Sequence, residues 1–186
     1  LANGVTLGNT TAFTYTTTNR TYYTQRSDYD SSTQITGLTD TVSTKTVNVG
    51  IMENMSMRFG KNTIELKGLL NQTGREQNTM RGNYFNGVNQ RFFGEYYQAR
   101  TIVTTQLSGN HKMREDKTQY DWTVSYNYGN RNEPDIKRIQ YNMNPDSTWK
   151  APVANVVDPV NGGGRFFSAL KEHTIAFNHI LKNDIT

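Results

Sequence analysis

The stretch Thr46–Phe59 reads TVNVGIMENMSMRF, and it decides the fold class. Val47, Val49, Ile51, Met55, Met57 and Phe59 fall on one parity; Asn48, Gly50, Asn54, Ser56 and Arg58 fall on the other. Successive side chains of a strand point to opposite faces, so this period of two describes a strand with an apolar side and a polar side.

Working outward, the same alternation recurs. Val5, Leu7, Phe13 and Tyr15 alternate with Thr6, Gly8, Thr10 and Thr14, and Ile64, Leu66 and Leu70 with Glu65, Lys67 and Asn71. Tyr97, Ala99, Val103 and Leu107 alternate with Gln98, Arg100, Thr104 and Gln106. Tyr120, Trp122, Val124, Tyr126 and Tyr128 alternate with Asp121, Thr123, Ser125 and Asn127. The final set is Phe167, Ala169, Ile175, Phe177 and Leu181 against Ser168, Thr174, Ala176 and Asn178. The pattern predicts an all-β, antiparallel chain of about six long strands, each run reaching the roughly 9–11 residues that cross a bilayer at a tilt.

The expected connections are of two kinds. Phe59-Gly60-Lys61-Asn62 reads as a tight turn, His111 to Lys117 as a short charged one, and Lys182-Asn183-Asp184 as the start of another. Longer polar segments, about Asp30 to Ser43, Glu76 to Gln90 and Asn142 to Arg165, read as loops. Short turns alternating with long loops match a transmembrane β-barrel wall with short periplasmic turns and long extracellular loops. Aromatics at both ends of the Tyr120–Tyr128 row suit the two membrane–water interfaces.

Composition agrees with one wet face and one apolar face. Of 186 residues only 34% are hydrophobic, yet 11% are aromatic, with 11 Tyr and 8 Phe. That aromatic and Thr content excludes a disordered chain. Cysteine is absent, which excludes disulfide scaffolds and thiolate sites. The net charge of +4 is spread without a basic cluster, so nucleic acid is not an expected partner. No apolar run is long enough for a transmembrane helix. Leu1-Ala2-Asn3-Gly4 reads as a turn rather than a leader, so the chain is expected to begin inside a structural unit.

Catalytic, metal and cofactor signals are lacking, and an enzyme is not expected. His173 and His179 share a face but lie about 20 Å apart along a strand, and His111 sits in a predicted turn. Gly162–Gly164 is followed by Arg165-Phe166, not by the Lys-Ser/Thr of a phosphate loop. Three residues do not suit the apolar rows: Glu53, for which the pattern offers no reason, and Lys171 and His173, expected above the hydrocarbon zone.

Three segments carry a family resemblance: VNVGIMENMSMRFGKNTIELKGLLNQT over Val47–Thr73, the stretch Tyr96 to Tyr141 with its GNHKM turn and DWTVSYNYGNRNEPDIKRIQY ascent, and Gly163 through Leu181. Together they resemble the barrel of TonB-dependent receptors of the Bacteroidetes type. The resemblance implies a barrel of about 22 strands around a plug domain, placed in the bacterial outer membrane, taking up a siderophore, glycan, peptide or cobalamin with energy delivered by the TonB complex. Residues 1–186 would be part of that barrel, the plug and remaining strands lying outside them, because six strands fall short of the roughly eight that close one. Implied partners are outer-membrane lipid, TonB through the plug, and a surface lipoprotein lid. On this reading Asn54, Arg58, Glu65, Lys67, Arg100, Gln106, Asp121, Asn127 and Asn178 face the lumen and plug. Tyr84, Phe85, Arg91 and Trp149 are candidates for cargo contact. The alternatives are a soluble β-sandwich module for adhesion or carbohydrate binding, and a passive porin-like channel.

Overall fold

A computed structural model describes residues 4–85, 87–113, 117–151 and 163–184. The described residues form one antiparallel sheet without helices. Its strands are β1 (Val5–Asp30), β2 (Thr33–Phe59), β3 (Asn62–Phe85), β4 (Val88–Met113), β5 (Thr118–Met143), β6 (Trp149–Lys150) and β7 (Gly163–Asn183). Six are long, and β6 is a two-residue rung on β5. Each long strand pairs with its neighbour in sequence, and β7 pairs with β5 below β6. The sheet is open: β1 pairs only with β2, and β7 only with β5.

The registers align the apolar rows. Phe13, Ile51, Leu70, Val103, Tyr128 and His173 form one continuous rung. Asn9, Met55, Leu66, Leu107, Val124 and Phe177 form another two rungs nearer the Gly60 turn. Since a one-residue slip would turn a whole strand over, the six apolar rows reach one face because every pairing keeps parity in the half nearer the Gly60 turn; the register shifts at Asp28, Glu95 and Glu133 lie in the other half. No described element covers that face: Phe13 remains 66% exposed, Ile175 77% and Phe177 61%. Val42 is the single buried apolar residue among those described. The sheet therefore has no core of its own.

The Phe59–Asn62 turn forms as expected, a two-residue tip with Gly60 at φ 57°. Positive φ at the first tip residue is the type II′ geometry that matches strand twist, and glycine adopts it without a Cβ penalty.

The expected long loops do not form in two places. The Asp30–Ser43 segment is strand on both sides of a tip at Ser31 and Ser32, and the Glu76–Gln90 segment is strand on both sides of residues 86 and 87. The regular alternation of loop lengths is therefore overturned. These segments are polar on both faces, so no apolar row marks them, but ladder hydrogen bonds require only extended backbone, which their Thr, Tyr and Asn residues adopt. In the third segment, Asn142–Arg165, β5 continues to Met143, a turn closes over Asn144–Thr148, and β7 begins at Gly163; residues 152–162 lie outside the described residues. The His111–Lys117 turn is narrower than expected: β4 runs to Met113 and β5 starts at Thr118, with 114–116 outside the described residues. Lys182 and Asn183 are still strand, and the Asp184 amide bonds the Lys117 carbonyl at 2.9 Å.

The strands consequently run 24 to 27 residues in β1–β5, about 80–90 Å. Their apolar rows occupy only the half nearer the Gly60 turn. On β2 that row, Val47 to Phe59, covers about 40 Å along the strand.

Glu53 gains a partner. Thr11, its rung neighbour on β1, donates its hydroxyl to Glu53 Oε2 at 2.5 Å. His173, in the middle of β7 rather than near its start, is met by the Tyr126 hydroxyl at 2.9 Å and by the Tyr128 ring at 5.0 Å.

Candidate functional site

The face opposite the apolar rows divides into two zones. Near the Gly60 turn it carries the residues expected to face a lumen. Asn54 opposes Lys67, which opposes Gln106; Glu65 lies between Ser56 and Ser108; Arg58 opposes Thr63. Asp121 opposes Asn110 and accepts hydrogen bonds from it and from Gln119. Asn127 opposes Thr174 on β7, and Asn178 lies two rungs further along that strand. Lys67 pairs with Glu65 at 3.1 Å. Arg100 stands opposite Arg131, and among the described residues it has no carboxylate partner. All nine residues thus share one face, on which cross-strand bonds also form, such as Thr73 Oγ1 donating to Asn48 at 2.7 Å.

In the upper half the same face curves around a hollow of about 880 Å3. Its floor is a grid set by register across β3, β4 and β5. Arg81, Phe92 and Gln140 share one rung, with Asp40 beside Arg81 on β2; Thr79, Gly94 and Arg138 share the next; Asn83 and Gln90 belong to the outer one. Gly94 leaves the space between Thr79 and Arg138 open, and the Phe92 ring leans to within 3.1 Å of where a Cβ would stand.

One bidentate ion pair stands at the edge of the hollow. Arg81 makes a two-pronged bond to Asp40, Nε to Oδ1 at 2.6 Å and Nη2 to Oδ2 at 2.7 Å, while lying 5.9 Å over the Phe92 ring. The Asp40 hydrogen bond raises the Arg81 pKa further, so the guanidinium stays charged. Arg75 bonds the Gln77 amide oxygen at 2.9 Å, and Arg138 rests over the Phe166 ring at 5.9 Å.

Below the hollow, β5 carries a bulge between Glu133 and Ile136, at Pro134 and Asp135. A bulge turns one extra residue out of the ladder and re-aims its neighbours. Here it buries Glu133, 7% exposed. Glu133 Oε1 accepts from Gln98 at 2.8 Å, from the Tyr96 hydroxyl at 2.9 Å and from Arg131 Nε at 2.9 Å. Burial pushes the Glu133 carboxyl up, but the bonds from Arg131, Gln98 and Tyr96 together outweigh it and hold the group below the ordinary carboxylate range. On the opposite face of the bulge, Asp135 is held low by Arg165, and Lys137 is held high by Glu95 at 3.0 Å.

The four expected cargo contacts do not form one site. Arg91 stacks over Trp149 at 4.2 Å, and both line a second hollow of about 530 Å3 with Tyr84. Phe85, one residue along, points to the other face and lines the larger hollow. Among the described residues no group of His, Asp and Glu is arranged to hold a metal. Sequence reading passed over Arg75, Arg81, Arg138 and Glu133. The first two were legible: Arg75 opens a polar row of period two that continues through Gln77, Thr79, Arg81 and Asn83 into the segment read as loop. Glu133 needed the bulge, which no local pattern announces.

No protein-family model and no curated protein matches this chain.

Proposed function

We propose that this sheet is a section of the wall of a transmembrane β-barrel, belonging to an outer-membrane transporter of the TonB-dependent receptor kind that takes up a nutrient ligand. One observation carries the reading: six apolar rows fall in register on one uncovered face, opposite a face of charged and amide side chains. Lipid covers the first face and the lumen, with its plug, lies against the second. Backbone groups are satisfied by the ladder, as hydrocarbon demands. The open edges of β1 and β7 then pair with further strands of the barrel, which removes the aggregation hazard of bare edges. The apolar band, about 29 Å tall at a 45° tilt, matches the roughly 25 Å band of such barrels. The polar upper half, with its two hollows, extends beyond the membrane as the wall of an outer vestibule.

The test is fractionation of the intact parent protein, followed by gel mobility with and without heating. Recovery in detergent-extracted outer membrane with a heat-shifted band is expected. A soluble protein with no heat shift would replace this reading with a soluble surface module.

A further inference from the structure

We infer that the larger hollow binds a carboxylate-bearing, hydroxyl-rich ligand of the acidic-saccharide class, with Arg75 and Arg138 meeting its carboxylates. The inference rests on the reading that this face lines the transporter's outer vestibule.

The charge argument is local. The carboxylates nearest the hollow are already engaged: Asp40 by Arg81, Glu95 by Lys137, and Glu133 by Arg131. Among the described residues Arg75 and Arg138 have no carboxylate partner. They stand two strands and two rungs apart, about 17 Å between backbones. Two long, flexible guanidinium arms across a gap of that size suit repeated charges on an extended ligand better than a single compact anion.

The remaining polar lining is amide. Gln77, Asn83, Gln90 and Gln140 line the hollow, and amides both donate and accept, as hydroxyl groups do. Asn83 donates to Gln90 at 2.6 Å, which ties two of these amides together across β3 and β4. Phe92 and Tyr96 supply flat apolar surface beside these groups. The backbone amides of the floor are committed to the ladder, so recognition is by side chains alone. That suits an anion gripped by guanidinium through two parallel bonds, as a carboxylate is, rather than one held in a nest of backbone N–H groups. The volume, about 880 Å3, accommodates several sugar rings.

The experiment is calorimetric titration of the intact, detergent-extracted parent protein. The probes are pectin-derived and alginate-derived uronate oligosaccharides and the same oligosaccharides with carboxyl groups reduced to alcohols. Uronates are expected to bind and the reduced forms to bind far more weakly. Arg75→Gln and Arg138→Gln are each expected to weaken uronate binding by roughly tenfold or more, and Arg20→Gln, on β1 of the same face, to leave it unchanged. Equal binding of the reduced forms, or uronate binding indifferent to both arginine variants, would overturn the assignment. So would failure of every probe to bind a protein that still shows its heat-shifted band, with the barrel reading left intact. A soluble protein without that shift overturns both.

Discussion

Trp122 donates its indole Nε1–H to His111 Nε2 at 3.0 Å, with its ring laid across Gly109, its rung partner on β4. The acceptor role fixes the imidazole tautomer: Nδ1 carries the proton and donates to Asn62 Oδ1 at 3.0 Å. Three strands are thereby tied together near the Gly60 end of the apolar face, where an aromatic with one polar atom suits a membrane interface.

A methyl group at Gly109 would overlap the Trp122 indole. Backbone pairing on both sides keeps β4 from moving away. Gly109→Ala is therefore expected to displace the ring, break the His111 bond and cost about 1–3 kcal/mol. The readings are a lower midpoint of heat modification and a red-shifted tryptophan emission. Gly74→Ala, where the added carbon meets only the Tyr97 hydroxyl at 3.6 Å, should change little.

Val124 and Ser125 are adjacent on β5 and face opposite ways. Val124→Arg places a charge on the apolar face at the rung of Leu107 and Phe177, and is expected to cost about 2–4 kcal/mol if that rung lies near mid-bilayer. Ser125→Arg, among Gln106 and Ala176, should be tolerated. Yield of heat-modifiable protein in the outer membrane separates the two.

Glu53 sits on the apolar face and, among the described residues, is bonded by Thr11 alone. Glu53→Leu joins Ile51 and Met55 in one row and is expected to raise the heat-modification midpoint. Thr11→Val strands the carboxylate and should lower it. Glu65→Leu, the same change on the polar face, should give no gain.

The pH dependence follows from Glu133. Its folded-state pKa lies below the ordinary value of 4.5, so the stability it contributes is present above that value and is lost as pH falls through the folded pKa. Between about pH 5 and pH 3 the wild-type midpoint is expected to fall more steeply than that of Glu133→Gln, which has no proton to take up at this position. Parallel curves would show that the Arg131–Glu133 contact carries no linkage.

Much of the fold was legible in the sequence, and the boundary of legibility is physical. Period-two apolar rows located all six long strands and which side of each was apolar, because burial against any apolar medium selects for that period. They stopped at about Tyr15, Val47 and Leu70, where both faces become polar, and the strands continued regardless. Asn86-Gly87 between Phe85 and Val88 is a strong hairpin signal, and it marks the tip inside what the polar composition suggested was a loop. Ser31 at φ 55° gives no comparable signal. That the nine polar residues from Asn54 to Asn178 share one face was legible because parity alone decides it. The Arg81–Asp40 pair and the Glu133 cluster depend on register across strands 41 and 37 residues apart in sequence, which no local pattern specifies.

The most direct test of lipid contact uses the absence of cysteine from this chain. Single cysteines at Ile51, Met55, Leu66, Leu107 and Val124, and at Asn54, Glu65, Gln106 and Ser125, are labelled with a small fluorophore in the intact protein, in a background free of other reactive cysteines. The protein is then reconstituted with lipids carrying a quencher on the acyl chain. Strong quenching at the first five positions and weak quenching at the last four is the expected result. Equal quenching of both sets, or none at either, would contradict a lipid-facing apolar side.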